Sequence, residues 1–197
     1  MVVARDDFED TGLSIERPVI RTARLVLRRP NDGDIPALAE LADNRRIAEM
    51  LARMPHPYGA PEARSFVAMA QGTEKGGATY ALALPGTDLL VGCAGLNATE
   101  RGLELGYWVG EPYWNEGYAT EAAHALVDLA FTATPVQVLH AACRVINPAS
   151  RRVVHKCGFQ YAGQGMIDSL VAGRVPVERY RLDRKAWASL KSWGAAA

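Results

Sequence analysis

The sequence predicts an α+β protein built on one central mixed sheet, and three observations carry that prediction. Apolar residues alternate with others over 79–84, 89–96 and 103–110, and short polar links, Pro85-Gly86-Thr87-Asp88 and 97–102, join these runs into an antiparallel meander. A helical period follows: Ala122, Ala123, Leu126, Val127 and Ala130 recur on one side, and Glu121, His124 and Asp128 fall on the other, until Thr134-Pro135 stops the run. The strand expected over 136–146 is reached through that helix, so the crossover sets it parallel to 103–110.

Taken in order, residues 1–16 are charged and lack apolar periodicity, which marks a tail that orders only if it docks. One domain is expected over 17–190, with a short C-terminal tail over 191–197. The segment 20–28, with Leu25 and Leu27 alternating with Arg24, Val26 and Arg28, predicts a first strand with one basic, wetter face. Asp32-Gly33-Asp34 starts a helix that carries Ile35, Leu38, Ala39 and Leu41. A second helix is expected over 45–54, ended by Pro55 and Pro57. A third has Pro61 in its first turn and buries Phe66, Val67, Met69 and Ala70. Gly92 and Gly95 inside the middle strand predict a bulge or a close backbone approach. Beyond the crossover, 147–159 reads as a helix closed by Gly158, 163–182 as a hairpin turning near Gly173, and 183–190 as a last helix.

Composition narrows the function classes. Lys plus Arg and Asp plus Glu number 22 each, a balance that gives no reason to expect nucleic-acid binding. No apolar run reaches the roughly 20 residues that span a bilayer, and the first residues lack a secretory core, so a soluble cytoplasmic protein is expected. Cys93, Cys143 and Cys157 are odd in number and have no C-x-x-C pair; they predict buried reduced thiols. His56, His124, His140 and His155 lack ligand spacing, and no metal is expected.

The most informative stretch joins the third meander strand to the central helix. Leu105, Tyr107 and Val109 alternate with Glu104, Gly106 and Trp108; Pro112 ends the pairing; Gly117-Tyr118-Ala119 opens the helix. The first turn of a helix has amide N–H groups without internal partners, and the helix dipole behind them favours an anion. Gly117 can take positive φ, and Ala119 leaves space for a phosphate to reach the main chain. Such a site requires no cationic side chain.

Trp114-Asn115-Glu116-Gly117-Tyr118-Ala119 resembles the acetyl-CoA motif of the GNAT N-acetyltransferases: Gln or Arg, two residues, Gly, one residue, then Gly or Ala. Trp114 departs from it at the first position, and Trp followed by Gly-Tyr-Ala-Thr-Glu-Ala is similar to the ribosomal-protein N-terminal acetyltransferase branch, the RimJ/RimL-like group. Thr22-x-Arg24-Leu25-x-Leu27-Arg28 resembles the way that group opens. Asn147-x-x-Ser150, followed by a helix ending Lys156-x-Gly158-Phe159, resembles the second half of the cofactor site.

The resemblance implies the GNAT fold, a mixed, mostly antiparallel sheet with helices on both faces and two parallel strands splayed around the cofactor. It implies acetyl-CoA as cofactor, with Asn115 at the phosphate loop, the pyrophosphate on the amides of Glu116, Gly117, Tyr118, Ala119 and Thr120, and the pantetheine arm along Trp108, Val109 and Gly110. Asn147 is expected to bond a pantetheine amide, Ser150 to line the same cleft, and Val109 N–H to face the oxyanion. The acid tyrosine that many GNAT enzymes carry falls on Val154 here, so Ser150 is the candidate acid. Glu104 is the candidate base, and Tyr58, Glu104 and Tyr107 are the candidates at the acceptor. The expected reaction is direct acetyl transfer to a primary amine, foremost a protein or peptide N-terminal α-amine. The alternatives are a small amine (amino acid, polyamine or drug) and a catalytically silent acyl-CoA-binding sensor. The expected partners are acetyl-CoA and the amine acceptor, with a homodimer as an option.

Overall fold

The computed structural model describes residues 18–72 and 77–194. The expected tail at 1–16 lies outside the described residues, as do 73–76 and 195–197. The strands are β1 (Ile20–Arg21), β2 (Val26–Arg28), β3 (Ala78–Ala83), β4 (Leu90–Thr99), β5 (Gly102–Val109), β6 (Val138–Arg144), β7 (Gln160–Ser169) and β8 (Gly173–Asp183). The helices are α1 (Ile35–Ala42), α2 (Arg45–Ala48), α3 (Ala60–Gln71), α4 (Tyr118–Ala133), α5 (Pro148–Lys156) and α6 (Arg184–Gly194). All eight strands join one sheet in the order β1-β2-β3-β4-β5-β6-β8-β7, antiparallel except for the pair β5–β6.

Two apolar layers explain why β3 and most of β4 are buried on both faces. On one side, Ala122, Ala123, Leu126 and Ala130 of α4 and Val154 of α5 pack with Leu103, Leu105, Leu139 and Tyr180. On the other, Leu38 of α1, Ile47 of α2 and Val67 of α3 pack with Ala81, Leu90 and Cys93. Removing that apolar surface from water is the main force holding helices to sheet, at about 25 cal/mol per Å². The helices therefore cover both faces. Cys93, Cys143 and Cys157 are buried free thiols, with burial pushing Cys143 up to about 11.

Several boundaries differ from the sequence expectation, each for a local reason. The strand expected over 20–28 is a hairpin, because Thr22 N–H and Thr22 Oγ both bond Leu25 O, at 2.9 and 3.1 Å, and put Ala23 and Arg24 in a turn. The link expected over 97–102 is mostly strand. Asn97, Ala98 and Thr99 pair with Glu104, Leu103 and Gly102, which leaves Glu100 and Arg101 at the tip. The helix expected over 45–54 stops at Ala48. The carbonyls that would extend it are taken from outside: Arg144 Nη1 bonds Glu49 O at 2.5 Å, Ser169 Oγ bonds Leu51 O at 2.9 Å and Leu170 N–H bonds Ala52 O at 3.0 Å. The last helix runs past 190 to Gly194. In β6, the face carrying His140 and Arg144 is half-buried and polar.

Both expectations for Gly92 hold. The register of β3 on β4 slips beside it, from Leu82↔Gly92 to Ala83↔Leu90. A Cβ on Gly92 would lie 2.3 Å from Trp108 O and 2.8 Å from Val109 Cα, so the backbones of β4 and β5 meet at van der Waals limit only because this residue is glycine.

Candidate active site

The parallel pair is short. Among the described residues, Glu104 and Leu105 pair with His140 and Ala141, and no rung joins the strands beyond Leu105. What β5 offers to the resulting opening follows from its ladder with β4. Gly110 N–H bonds Val91 O at 2.8 Å, and Val109 stands opposite Gly92, Trp108 opposite Cys93. Bonded and unbonded rungs alternate in an antiparallel pair. The main-chain groups of Trp108 and Gly110 therefore turn into β4, and those of Tyr107 and Val109 turn into the opening. Of the expected trio Trp108, Val109 and Gly110, Val109 turns its main-chain groups into the opening, and Trp108 and Gly110 turn theirs to β4.

Val109 O is already engaged, by the indole Nε1–H of Trp114 at 2.7 Å. Of the two groups that Val109 turns to the opening, the N–H remains. Trp114 thus has a structural task at the position where the GNAT motif carries Gln or Arg. It is held from its ring face by the guanidinium of Arg46, 4.9 Å from the ring centroid, and Arg46 pairs with Glu111. Trp114→Phe removes one hydrogen bond and keeps the ring, so a turnover loss of about fivefold, from the roughly 1 kcal/mol of such a bond, is expected with little change in coenzyme affinity. Steady-state kinetics beside calorimetry with CoA checks this.

At the start of α4, Asn115 and Gly117 both have positive φ, 66° and 84°. The first helical bond runs from Glu121 N–H to Gly117 O, so the amides of Tyr118, Ala119 and Thr120 precede the ladder and point out of the helix. The structure adds a cation there. Arg24, in the β1–β2 turn, donates from Nη1 to Glu116 O and from Nε to Glu121, each at 2.8 Å, and its guanidinium lies 5.1 Å from the centroid of the Tyr118 ring. Burial raises the Glu121 carboxyl, but bonds from Thr22 and Arg24 outweigh it and hold the group below the usual range. Sequence reasoning missed Arg24 as part of this loop. The signal was present in the Thr-x-Arg-Leu opening and in Glu121 of the motif, 97 residues apart.

The other wall of the opening is the end of β6 and the start of α5. Asn147 caps α5 by accepting from Ser150 N–H through Oδ1 at 2.9 Å, which leaves its amide NH2 as a donor. Ser150 Oγ lies 2.9 Å from the hydroxyl of Tyr107. Tyr107 was expected at the acceptor; the alternation of β5 puts it instead on the α4–α5 side, packed against the main core. Burial raises its phenol well above the usual range, so at neutral pH it keeps its proton, and it donates to the Ser150 carbonyl oxygen at 3.2 Å. Val154, in the expected tyrosine slot, is buried core.

Glu104 occupies the opposite face, with Gly106 and Trp108, at the last rungs where β5 and β6 still pair. It is half-buried; desolvation raises its carboxyl, and the charges of Arg101, Arg179 and Arg53 pull it back. Tyr58, expected at the acceptor, lies on this same side of the sheet: it is 7 % exposed, packs in the α1–α3 cluster against which Trp108 also lies, and is pushed up to about 12, first of all by burial. No group of three or more His, Cys, Asp or Glu suited to a metal occurs among the described residues, and no helix among them is long and apolar enough to cross a membrane.

An open parallel pair with main-chain groups facing the gap, a helix N-terminus at one end and a carboxylate on the far face define an acyl-transferring fold that seats a long, phosphate-bearing donor by its backbone. The chain belongs to the GNAT family: the model of the acetyltransferase (GNAT) domain matches residues 24–160. It is an acetyl-transferring enzyme, and acetyl-CoA is the donor that membership implies. The uncharacterized N-acetyltransferase YoaA of Bacillus subtilis (strain 168) is 30% identical over 159 residues, which span 74% of this chain and 85% of YoaA. A GNAT-family acetyltransferase from Bacillus anthracis superposes with a TM-score of 0.71 at 22% identity, over 88% of this chain and 99% of the other. RimL, a ribosomal L7/L12 alpha-N-protein acetyltransferase solved with coenzyme A, superposes with a TM-score of 0.71 at 21% identity, over 86% of this chain and 98% of its own. At such identities the superpositions speak for the fold.

Proposed function

We propose that the protein moves the acetyl group of acetyl-CoA directly to the N-terminal α-amine of a peptide or protein in a ternary complex. The observation that carries this reading is the division of the sheet at the β5–β6 opening. Main-chain groups of Tyr107 and Val109 serve a donor on the α4–α5 side, and Glu104 serves an amine on the other face. The likeness to RimL, an N-terminal acetyltransferase, supports the choice of α-amine.

Acetyl-CoA supplies an acyl group activated as a thioester. Tyr118, Ala119 and Thr120 amides, with Arg24 beside them, hold the pyrophosphate. The NH2 of Asn147 donates to the pantetheine arm. Glu104 accepts the proton that the amine gives up as its nitrogen bonds the acyl carbon. Val109 N–H faces the carbonyl oxygen as charge collects on it. When the carbon–sulfur bond breaks, Ser150 O–H supplies a proton to the sulfur, with the Tyr107 hydroxyl, 2.9 Å from Ser150 Oγ, holding the serine in place.

Tyr107 thus acts through Ser150. Tyr107→Phe and Ser150→Ala are each expected to lower turnover about tenfold, and the double variant to lose no more than either single one. Multiplicative losses would separate the two groups. Mass spectrometry of a peptide and metabolite library incubated with acetyl-CoA tests the function itself: acetylated N-terminal α-amines are expected, and a library left unmodified overturns the reading.

A further inference from the structure

The face around Glu104 carries more positive charge than the reaction needs. The rungs Glu104↔His140, His140↔Arg181 and Ala142↔Arg179 place Arg179 on the same face as Glu104, two strands away with β6 between. Its guanidinium lies over Gly165 of β7, 2.5 Å from where a Cβ would stand, so the glycine is what seats it there. Arg101 sits at the β4–β5 tip, three residues before Glu104, with Gly102 and Leu103 between them. Arg53 comes from above. The bonds Arg144 Nη1 to Glu49 O, Ser169 Oγ to Leu51 O and Leu170 N–H to Ala52 O pin residues 49–52, just before it, over the sheet. All three arginines are near enough for their charge to act on the Glu104 carboxyl.

None of these three is joined to a carboxylate by an ion pair among the described residues, though Arg101 and Arg179 are half-buried. The buried Nε of Arg144 on the same face also has no hydrogen-bond partner there. Half-buried cations lose hydration that an anion restores. One carboxylate beside several cations has the charge pattern that complements an ammonium next to a carboxylate.

Resting on the reading of this face as the acceptor side, we propose that the acceptor carries a carboxylate close to its amine, held by Arg179 with Arg53 and Arg101 while Glu104 meets the nitrogen. An acidic first or second residue of a peptide and the free carboxylate of an α-amino acid share that chemistry. Guanidinium is suited to it, since it binds carboxylates through two parallel N–H bonds.

The test pairs peptides that differ only in charge, Asp against Asn and Glu against Gln at the first two positions, with the free amino acids as a separate arm. The acidic peptides are expected to show kcat/KM at least tenfold higher, and Arg179→Met to shrink that ratio to within about twofold while CoA affinity stays. Preference for the free amino acids over every peptide would assign the carboxylate to the α-position. Equal kcat/KM for acidic and amide peptides overturns the proposal. Calorimetry of the acetylated product peptides with the CoA-loaded protein reads the same preference without turnover. Tighter binding of the acidic product by an enzyme that acetylates nothing sinks the function and keeps the carboxylate site; equal binding, or binding of neither, sinks the site.

Discussion

Glu104→Gln is expected to lower turnover by roughly 10²-fold at saturating acetyl-CoA while leaving the dissociation constant for CoA unchanged. The carboxylate lies across the sheet from the donor side, so its loss removes the proton acceptor and nothing that holds the coenzyme. Desolvation raises its pKa, with Arg101, Arg179 and Arg53 opposing, and a base works in its deprotonated form. The wild-type rate should therefore fall as pH drops through that raised pKa, and the variant should lose this limb. Stability moves the other way. A carboxyl whose folded pKa exceeds its unfolded one binds more protons when folded, so its contribution is full below the unfolded pKa and is lost as pH rises through the folded one. Gln removes that loss, and the thermal midpoint at neutral pH should hold or rise. Near-wild-type turnover across about pH 6 to 9 would hand the proton to water and leave Glu104 a strand residue.

Gly117→Val is expected to weaken CoA binding roughly 10- to 100-fold in a protein that still folds. Gly117 stands at φ 84°, where a β-branched residue is strained by about 1 to 3 kcal/mol, and its Cβ would come within 3.2 Å of Arg24 Nη2. Relief by rotating φ turns the following amides away from their common point; relief by moving Arg24 takes its guanidinium away from Glu116 and Tyr118. Either way the proposed phosphate site is damaged and the core is not, since α4 holds to the sheet through Ala122, Leu126 and Ala130, farther along. Calorimetry with CoA, alongside circular dichroism to check the fold, decides it. An affinity equal to wild type in the folded variant would remove the helix N-terminus from the coenzyme site. Trp114→Phe is the comparison that should leave that affinity nearly untouched.

Most of the architecture was readable in the chain, because the signals for it are local. The alternation over 103–110, the helical period after Gly117 and the crossover to 136–146 together dictate a parallel pair inside a meander, and Gly117 announces its own positive φ by being glycine before Tyr-Ala. Glu104, Gly117, Asn147 and Ser150 stand as site candidates for the same reason: each lies inside a short pattern. Tertiary structure decided what depends on two distant segments meeting. Tyr58 and Tyr107 are both tyrosines near predicted cleft segments, and only packing sent the first into the α1–α3 core and the second to Ser150, 43 residues away. Arg24 joined the loop before α4 through Glu116 and Glu121, and the helix expected over 45–54 gave up its last turns to bonds from Arg144, Ser169 and Leu170. The choice between Trp108 and Tyr107 as the residue facing the opening came from the hydrogen-bond phase of β5 on β4. Periodicity in a sequence says which residues share a face of a strand. Which edge their N–H and C=O groups turn to is settled only by the neighbour against which the strand is registered.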